Sequence, residues 1–289
     1  MKHPATAVPQ HCLAPQRQHP EHSPGAVVKK ATYITTSWDD GHPLDLHLAD
    51  LLVKYALRGT FYVPKTAEHG TLTPAQVAEL GRTFEVGAHT LQHVDLSEAT
   101  ESQARQEIVQ SKSWLEDITG AHCSIFCPPK GKYTYRHLEL IRQAGFDAVR
   151  SVELLSLDFP RRQAGVQVMP TTVQAHPHGP MVYARNALKR AVFKNLWRYF
   201  AHVRSRDWSK LVLPLLSRAL EHGGVFHLWG HSWEIEQTGQ WRRLEEMLRL
   251  LSGFASEATA LTNFEVCQAC CNRDMVEPAP MAASPVRGS

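Results

Sequence analysis

The chain has 289 residues, 43% of them hydrophobic, and a formal net charge of +3 with histidine neutral. That length buries one sizeable core, and two small domains would also fit. The near-balanced charge speaks against strong nucleic-acid binding. Residues 1–30 hold four of the 17 histidines (His3, His11, His19, His22) among Pro and Gln, with few apolar residues and no periodicity. They are expected to be a disordered tail. The tail contains no apolar run of signal-peptide length, and no stretch is long enough to span a membrane. The six cysteines are Cys12, Cys123, Cys127, Cys267, Cys270 and Cys271. Their crowding toward the C-terminus is unlike a secreted disulfide framework, so a reduced, cytoplasmic protein is expected.

Residues 31–271 are expected to form one domain, and residues 272–289, rich in Pro, Ala and Ser, a second tail. Residues 31–37 are rich in β-branched side chains and predict a strand. Leu44, Leu48, Leu51 and Leu52 have helical spacing within 43–55, and 60–63 predicts the next strand after Gly59. Thr73 and Pro74 open a helix that runs to Gly81, and 84–88 is a strand. A helix is predicted over 101–118 with its stop at Gly120. A short strand at 124–127, a helix at 136–144 and a strand at 146–150 follow. Residues 225–229 predict a strand and 240–251 a final helix. Such alternation implies a parallel sheet or barrel. Residues 185–218 depart from it as a long, basic helical insertion with Trp197, Tyr199, Phe200 and Trp208. This insertion reads as an amphipathic pair covering the barrel with a solvated basic face. The other reading is a surface for peripheral membrane contact or for an anionic or lipid-linked substrate.

Three runs carry chemistry. Asp39-Asp40-Gly41 ends the first strand, where α/β folds gather their active sites. Two adjacent carboxylates repel unless a cation compensates, so one can bind a metal while its neighbour stays free as a base. Asp-Asp-Gly alone also reads as a turn with an Asp cap. His89 and His93, four apart after a later strand, are expected to share one face of a helical turn and reach one metal. In a His-rich chain they also read as two unrelated histidines. With Asp40 they make a two-nitrogen, one-carboxylate set that suits zinc or another divalent metal and leaves positions open. His231 follows the strand at 225–229 and suits a general acid, whereas His227 lies mid-strand and reads as a core residue. The spacing of Cys267 and Cys270 could serve a metal, but no second pair lies nearby, so free thiols are expected.

Together these runs resemble the NodB-homology, or polysaccharide deacetylase, family of carbohydrate esterases (family 4-like). Asp39-Asp40 follows the first strand, and His89-Thr90-Leu91-Gln92-His93 a later one. Phe126-Cys127-Pro128-Pro129-Lys130-Gly131-Lys132-Tyr133 matches the family's Pro-Gly turn, and Leu228-Trp229-Gly230-His231 its late Leu-x-x-His. The motifs stand in family order over roughly 32–250. The resemblance implies a distorted (β/α) barrel of about seven parallel strands and removal of an N- or O-acetyl group from a sugar. It implies Asp39 as base, Asp40, His89 and His93 as ligands of a divalent metal (Zn2+, with Co2+, Ni2+ or Mn2+ as alternatives), and His231 as acid. Tyr133 or a turn N–H would help the oxyanion, and Trp38, Trp229 and His176 are expected to contact substrate. Two departures stand out. The family's Arg that pairs with the base is replaced by Cys127, and its fourth motif has no clear match. The chain resembles a divergent branch with a Trp-Gly-His-Ser-Trp-Glu signature. Arg150, at the end of the next strand, is expected to supply the missing cation to Asp39, a surface salt bridge being the alternative. A related amide hydrolase on a small non-sugar substrate and a non-catalytic sugar-binding homologue remain open.

Overall fold

The β-branched run Thr32–Asp39 forms the first strand, β1, and every residue of it except Tyr33 is buried. In the computed structural model, which describes residues 30–202 and 205–276, nine further strands join it in one sheet. They are β2 (Gly59–Val63), β3 (Glu85–Ala88), β4 (Ile125–Phe126), β5 (Ala148–Arg150), β6 (Arg161–Gln163), β7 (Val166–Met169), β8 (Val173–Gln174), β9 (Gly224–Gly230) and β10 (Thr259–Ala260). The order is β6-β7-β5-β4-β3-β2-β1-β9-β8, with β10 beside β1. All pairs are parallel except β6–β7. The sheet therefore curls as a distorted barrel, with more parallel strands than the seven or so expected, two of the extra ones only two residues long.

The helices are α1 (Asp45–Lys54), α2 (Pro74–Leu80), α3 (Glu101–Thr119), α4 (Tyr135–Gln143), α5 (Pro180–Arg190), α6 (Phe193–His202), α7 (Ser209–His222), α8 (Ser232–Gln237), α9 (Trp241–Ser252) and α10 (Asn263–Val276). Local chemistry sets several boundaries. Thr73 with Gln76 and Thr100 with Gln103 form capping boxes for α2 and α3, each satisfying two orphan N–H groups. Gly120, at φ 65°, ends α3 in the left-handed conformation that glycine adopts without strain. The insertion differs from expectation. It is three helices rather than a pair, it starts at Pro180, and it covers the barrel with Tyr183 and Trp208 wholly buried. The β6–β7 hairpin was not anticipated. Its turn is Ala164-Gly165, both at positive φ, without the Asn-Gly or Asp-Gly that marks such turns.

Helix α10 also runs past the expected domain end at 271, since nothing in 272–276 breaks a helix and the first proline is Pro278. The expected tails at 1–29 and 277–289 lie outside the described residues. Cys267 and Cys270 are buried on α10, and Cys271 is half-buried. These three make no metal-ligand group among the described residues.

Helix α10 docks under the barrel on Glu85, which accepts from Thr60 Oγ1 (2.5 Å), Thr262 Oγ1 (3.1 Å) and the Phe264 amide (3.2 Å). Burial outweighs these bonds and pushes its carboxyl up to about 7 from an ordinary 4.5. The folded protein thus holds a proton that the unfolded chain has released. The resulting stability is fully present below about pH 4.5 and is lost as pH rises through about 7. Glu85→Gln keeps an acceptor and removes the charge. Its melting temperature should fall less between pH 5 and pH 8 than that of the unmodified protein, as thermal scans at the two pH values will show. Parallel falls would remove Glu85 from the account.

Candidate active site

The ladder registers bring the ends of six strands to one rim. Asp39 pairs with Tyr62, Val63 with Ala88, Ala88 with Phe126, Phe126 with Val149, and Trp38 with Gly230. Each of these strands therefore hands its next residues to the same carboxyl-end mouth, where α/β folds place ligands.

Beyond β1 the chain turns sharply. Asp40 stands at φ 76° and Gly41 at φ 59°, and a Cβ on Gly41 would meet Val63 Cγ1 at 2.6 Å. Positive φ at a non-glycine residue is a strained conformation of the kind that clusters at functional sites. After β3, Thr90 and His93 are likewise at positive φ, 58° and 54°. Residues 89–93 are consequently a tight loop and not the helical turn expected from their spacing. The loop is held by Glu107, which accepts from the Leu91 and Gln92 amides at 2.9 Å each, and by Thr90 Oγ1, which accepts from the Val94 amide at 2.9 Å.

This loop brings both imidazoles onto one carboxylate. His89 Nε2 lies 3.4 Å and His93 Nε2 3.0 Å from Asp40 Oδ1, and the three ligand atoms fall within one metal-sized cluster. His89 Nδ1 is 2.6 Å from the Cys127 carbonyl. Donating there fixes the tautomer and aims the Nε2 lone pair inward, the usual backing of a metal-bound histidine. Asp40 Oδ1 is buried without a hydrogen bond of good geometry. Its environment is two imidazole nitrogens, an arrangement that a shared cation would satisfy. Burial alone would raise the Asp40 pKa, but His89, His93 and the charge of His231 hold it well below the usual carboxylate range. The donor set therefore fits a divalent metal. A second cluster combines Asp39, His89 and Cys127. Burial pushes the Cys127 thiol far up, away from the thiolate that binds metals.

Asp39 stands beside the ligand set and carries a different partner. Its Oδ1 accepts from Arg150 Nη2, and Arg150 is wholly buried. The structure thus brings the expected cation to Asp39 from 111 positions along the chain. The contact is single rather than forked. Among the described residues the other guanidinium nitrogens have no hydrogen bond, and the group is stacked between the Tyr62 and Trp229 rings at 5.1 and 4.6 Å.

His231 faces the two aspartates, its Nε2 at 3.9 Å from Asp39 Oδ2 and 4.0 Å from Asp40 Oδ2. Its Nδ1 donates to Glu234 Oε2 at 2.6 Å. Burial pulls its pKa down, but Glu234 and the two aspartates overcome this and push it up to about 9. These carboxylates favour the protonated ring. His227 is different. It is buried mid-strand between Ser37 Oγ (2.8 Å) and the Pro170 carbonyl (3.0 Å), and burial pulls it down to about 3.

A cavity of about 420 Å³ opens above these groups. Of the expected substrate contacts, only Trp229 lines it, and its Nε1 is buried without a hydrogen bond. Trp38 points into the core and its Nε1 donates to Thr36 Oγ1, because alternation along β1 sends it opposite to Asp39. Tyr133 is beyond the turn, which reaches the cavity through Lys130 and Gly131. His176 lies behind Glu234, 3.7 Å from its Oε1. Two site residues escaped the sequence reading. Glu234 backs His231, and Trp233 donates from Nε1 to Asp40 Oδ2 at 2.9 Å. Both stand in the Trp-Gly-His-Ser-Trp-Glu run, two and three residues past His231, which is where the signal was.

Fold and site define a distorted α/β barrel with a candidate metal centre at its carboxyl rim. Residues 26–149 match the family model described as Polysaccharide deacetylase, and over that segment the chain is similar to that family. "Putative polysaccharide deacetylase YxkH" of Bacillus subtilis (strain 168) is 26% identical over 117 residues, 39% of this chain and 42% of that protein. The match thus spans less than half of that relative. A crystal structure from Mycobacterium smegmatis with the same description aligns at TM-score 0.58 and 14% identity, covering 93% of this chain and 99% of the other. Puue allantoinase aligns at TM-score 0.60 and 11% identity, covering 90% and 96%. At these identities the two structures establish the fold.

Proposed function

We propose that the protein is a metal-dependent hydrolase that removes the acetyl group from an N-acetylated sugar in an oligosaccharide, polysaccharide or glycoconjugate. The observation that carries this reading is the convergence of Asp40 Oδ1, His89 Nε2 and His93 Nε2 beside an Asp39 that Arg150 keeps apart, with His231 facing both. Two nitrogens and a carboxylate suit Zn2+, and Co2+, Ni2+ or Mn2+ would also be held. When bound, such an ion supplies Lewis-acid activation of water and of the acyl oxygen. Asp39 accepts the proton of the attacking water. His231, held protonated by Glu234, gives a proton to the amide nitrogen as the C–N bond breaks, so that acetate and a free amine leave. The crowding of the cysteines toward the C-terminus, unlike a secreted disulfide framework, supports the cytoplasm as the place of work.

A small non-sugar amide is the second reading, since a cavity of about 420 Å³ would also enclose one. Acetate release should be measured on N-acetylated oligosaccharides, nucleotide sugars, glycolipids and small amides. It should need added metal, and His231→Ala should lower kcat far more than His227→Ala. The reverse order would make His227 the acid. Metal binding with no turnover on any substrate would leave a sugar-binding homologue.

A further inference from the structure

Helices α5 and α6 carry an unusual surface. Residues 180–206 hold seven of the chain's 31 Lys and Arg and none of its 28 Asp and Glu. On α5, Met181, Arg185, Leu188 and Lys189 are exposed at positions i, i+4, i+7 and i+8, one face of the helix, while Tyr183 and Ala187 are buried. On α6, Phe193, Lys194 and Trp197 are exposed on one face, and Asn195 is buried and bonds to Glu153 and the Leu154 carbonyl. The exposures are large for apolar groups: Met181 79%, Leu188 69%, Phe193 62% and Trp197 71%. Most of the large hydrophobic side chains exposed among the described residues lie on these two helices. Scattered exposed apolar residues are ordinary, but a concentration of them marks an interaction surface.

The charge selects the partner. Arg190 and Arg198 bond to backbone carbonyls and Lys194 pairs with Asp158. Arg185 and Lys189 have no ion pair among the described residues. Cations interleaved with a tryptophan, a phenylalanine and aliphatic side chains on one face match the interface of an anionic bilayer, where the ring and aliphatic groups enter the headgroup layer and the cations meet lipid phosphates. A protein partner would have to bring its own carboxylates. Among the described residues no helix is long and apolar enough to cross a membrane, so the contact is with the surface.

We propose that the exposed face of α5 and α6 docks the protein on an anionic lipid bilayer, with Met181, Leu188, Phe193 and Trp197 inserted and Arg185 and Lys189 on the phosphates. Val182 is 41% exposed and also lines the cavity, as does Asn186, so the docked face adjoins the mouth of the active site. The docking stands on this surface alone and does not rest on the deacetylase reading.

The test is co-sedimentation of the full chain with phosphatidylcholine vesicles, with and without phosphatidylglycerol. Binding should appear with phosphatidylglycerol, be weak without it, and fall as salt is added. Arg185→Glu with Lys189→Glu should weaken it by roughly twenty-five-fold or more, since each cation near such a surface is worth about a factor of five. Leu188→Ser with Trp197→Ser should also abolish it. All four side chains are solvent-facing, so an unchanged melting temperature will show that the variants fold. No binding to the anionic vesicles, or binding that survives both double variants, would overturn the proposal. So would equal binding to neutral vesicles. A dimer that Trp197→Ser converts to monomer, with no vesicle binding, would assign the face to a second copy instead.

Discussion

Asp39→Asn should retain its metal and lose about 10²–10⁴-fold in kcat, the usual worth of a general base. Asn matches the carboxylate in shape and spares Asp40, His89 and His93. Among the described residues, the side chain it replaces is also the one hydrogen-bond partner of a wholly buried guanidinium. Removing one member of a buried ion pair leaves an uncompensated charge, which costs about 3–5 kcal/mol. The variant should therefore melt lower as well. Arg150→Met separates the two effects. Alone it should lower kcat by misplacing Asp39, with metal content unchanged. Combined with Asp39→Asn it should recover stability without recovering turnover, because the stranded charge is gone while the base is still missing. Lys at 150 should be a poor substitute, since a compact ammonium cannot stack between Tyr62 and Trp229 as a planar guanidinium does. Near-normal kcat in Asp39→Asn would take Asp39 out of the mechanism, and lost metal in that variant would make it a ligand.

His89→Ala and His93→Ala should each lower metal affinity and activity in parallel. Changing only a group behind a ligand costs about 10–100-fold in affinity, and removing the ligand itself should cost more. His89 should be the more damaging position. It is almost wholly buried, and its ring is fixed by the Cys127 carbonyl, so its removal empties space as well as a coordination site. His93 is more exposed, with 23% of its side chain accessible, and water can take its place. Metal analysis after dialysis, set beside acetate release from the same preparations, reads both quantities. Stoichiometric metal in both variants would show that the ion, if bound, is held elsewhere.

Much of this site could be read in the linear chain for a physical reason. In a parallel α/β fold each strand ends in a short loop at one rim, so Asp39-Asp40-Gly41, His89 with His93, and His231 arrive there as contiguous runs behind recognisable strands. The helix boundaries were readable because Thr73, Thr100 and Gly120 act within their own turn. Arg150 was reachable by a charge argument, since Cys127 left a buried carboxylate without its cation.

What the chain could not disclose is how side chains point once strands pair and loops fold. Trp38 and Trp229 look alike in sequence, yet alternation along β1 buries the first in the core, while β9 presents the second to the cavity. The spacing of His89 and His93 suits a helical turn. Positive φ at Thr90 and His93, held by Glu107 from the distant α3, makes it a loop instead. Glu234 and Trp233 were in view as part of a run, but only the direction of α8 turns one toward His231 and the other toward Asp40. The Ala164-Gly165 turn and the three-helix insertion were settled by packing against neighbours, which propensity cannot report. Sequence by itself determined which chemical groups reach the rim. Tertiary structure decided which of them face one another, because contacts across more than a hundred residues depend on ladder register and packing, neither of which any local run encodes.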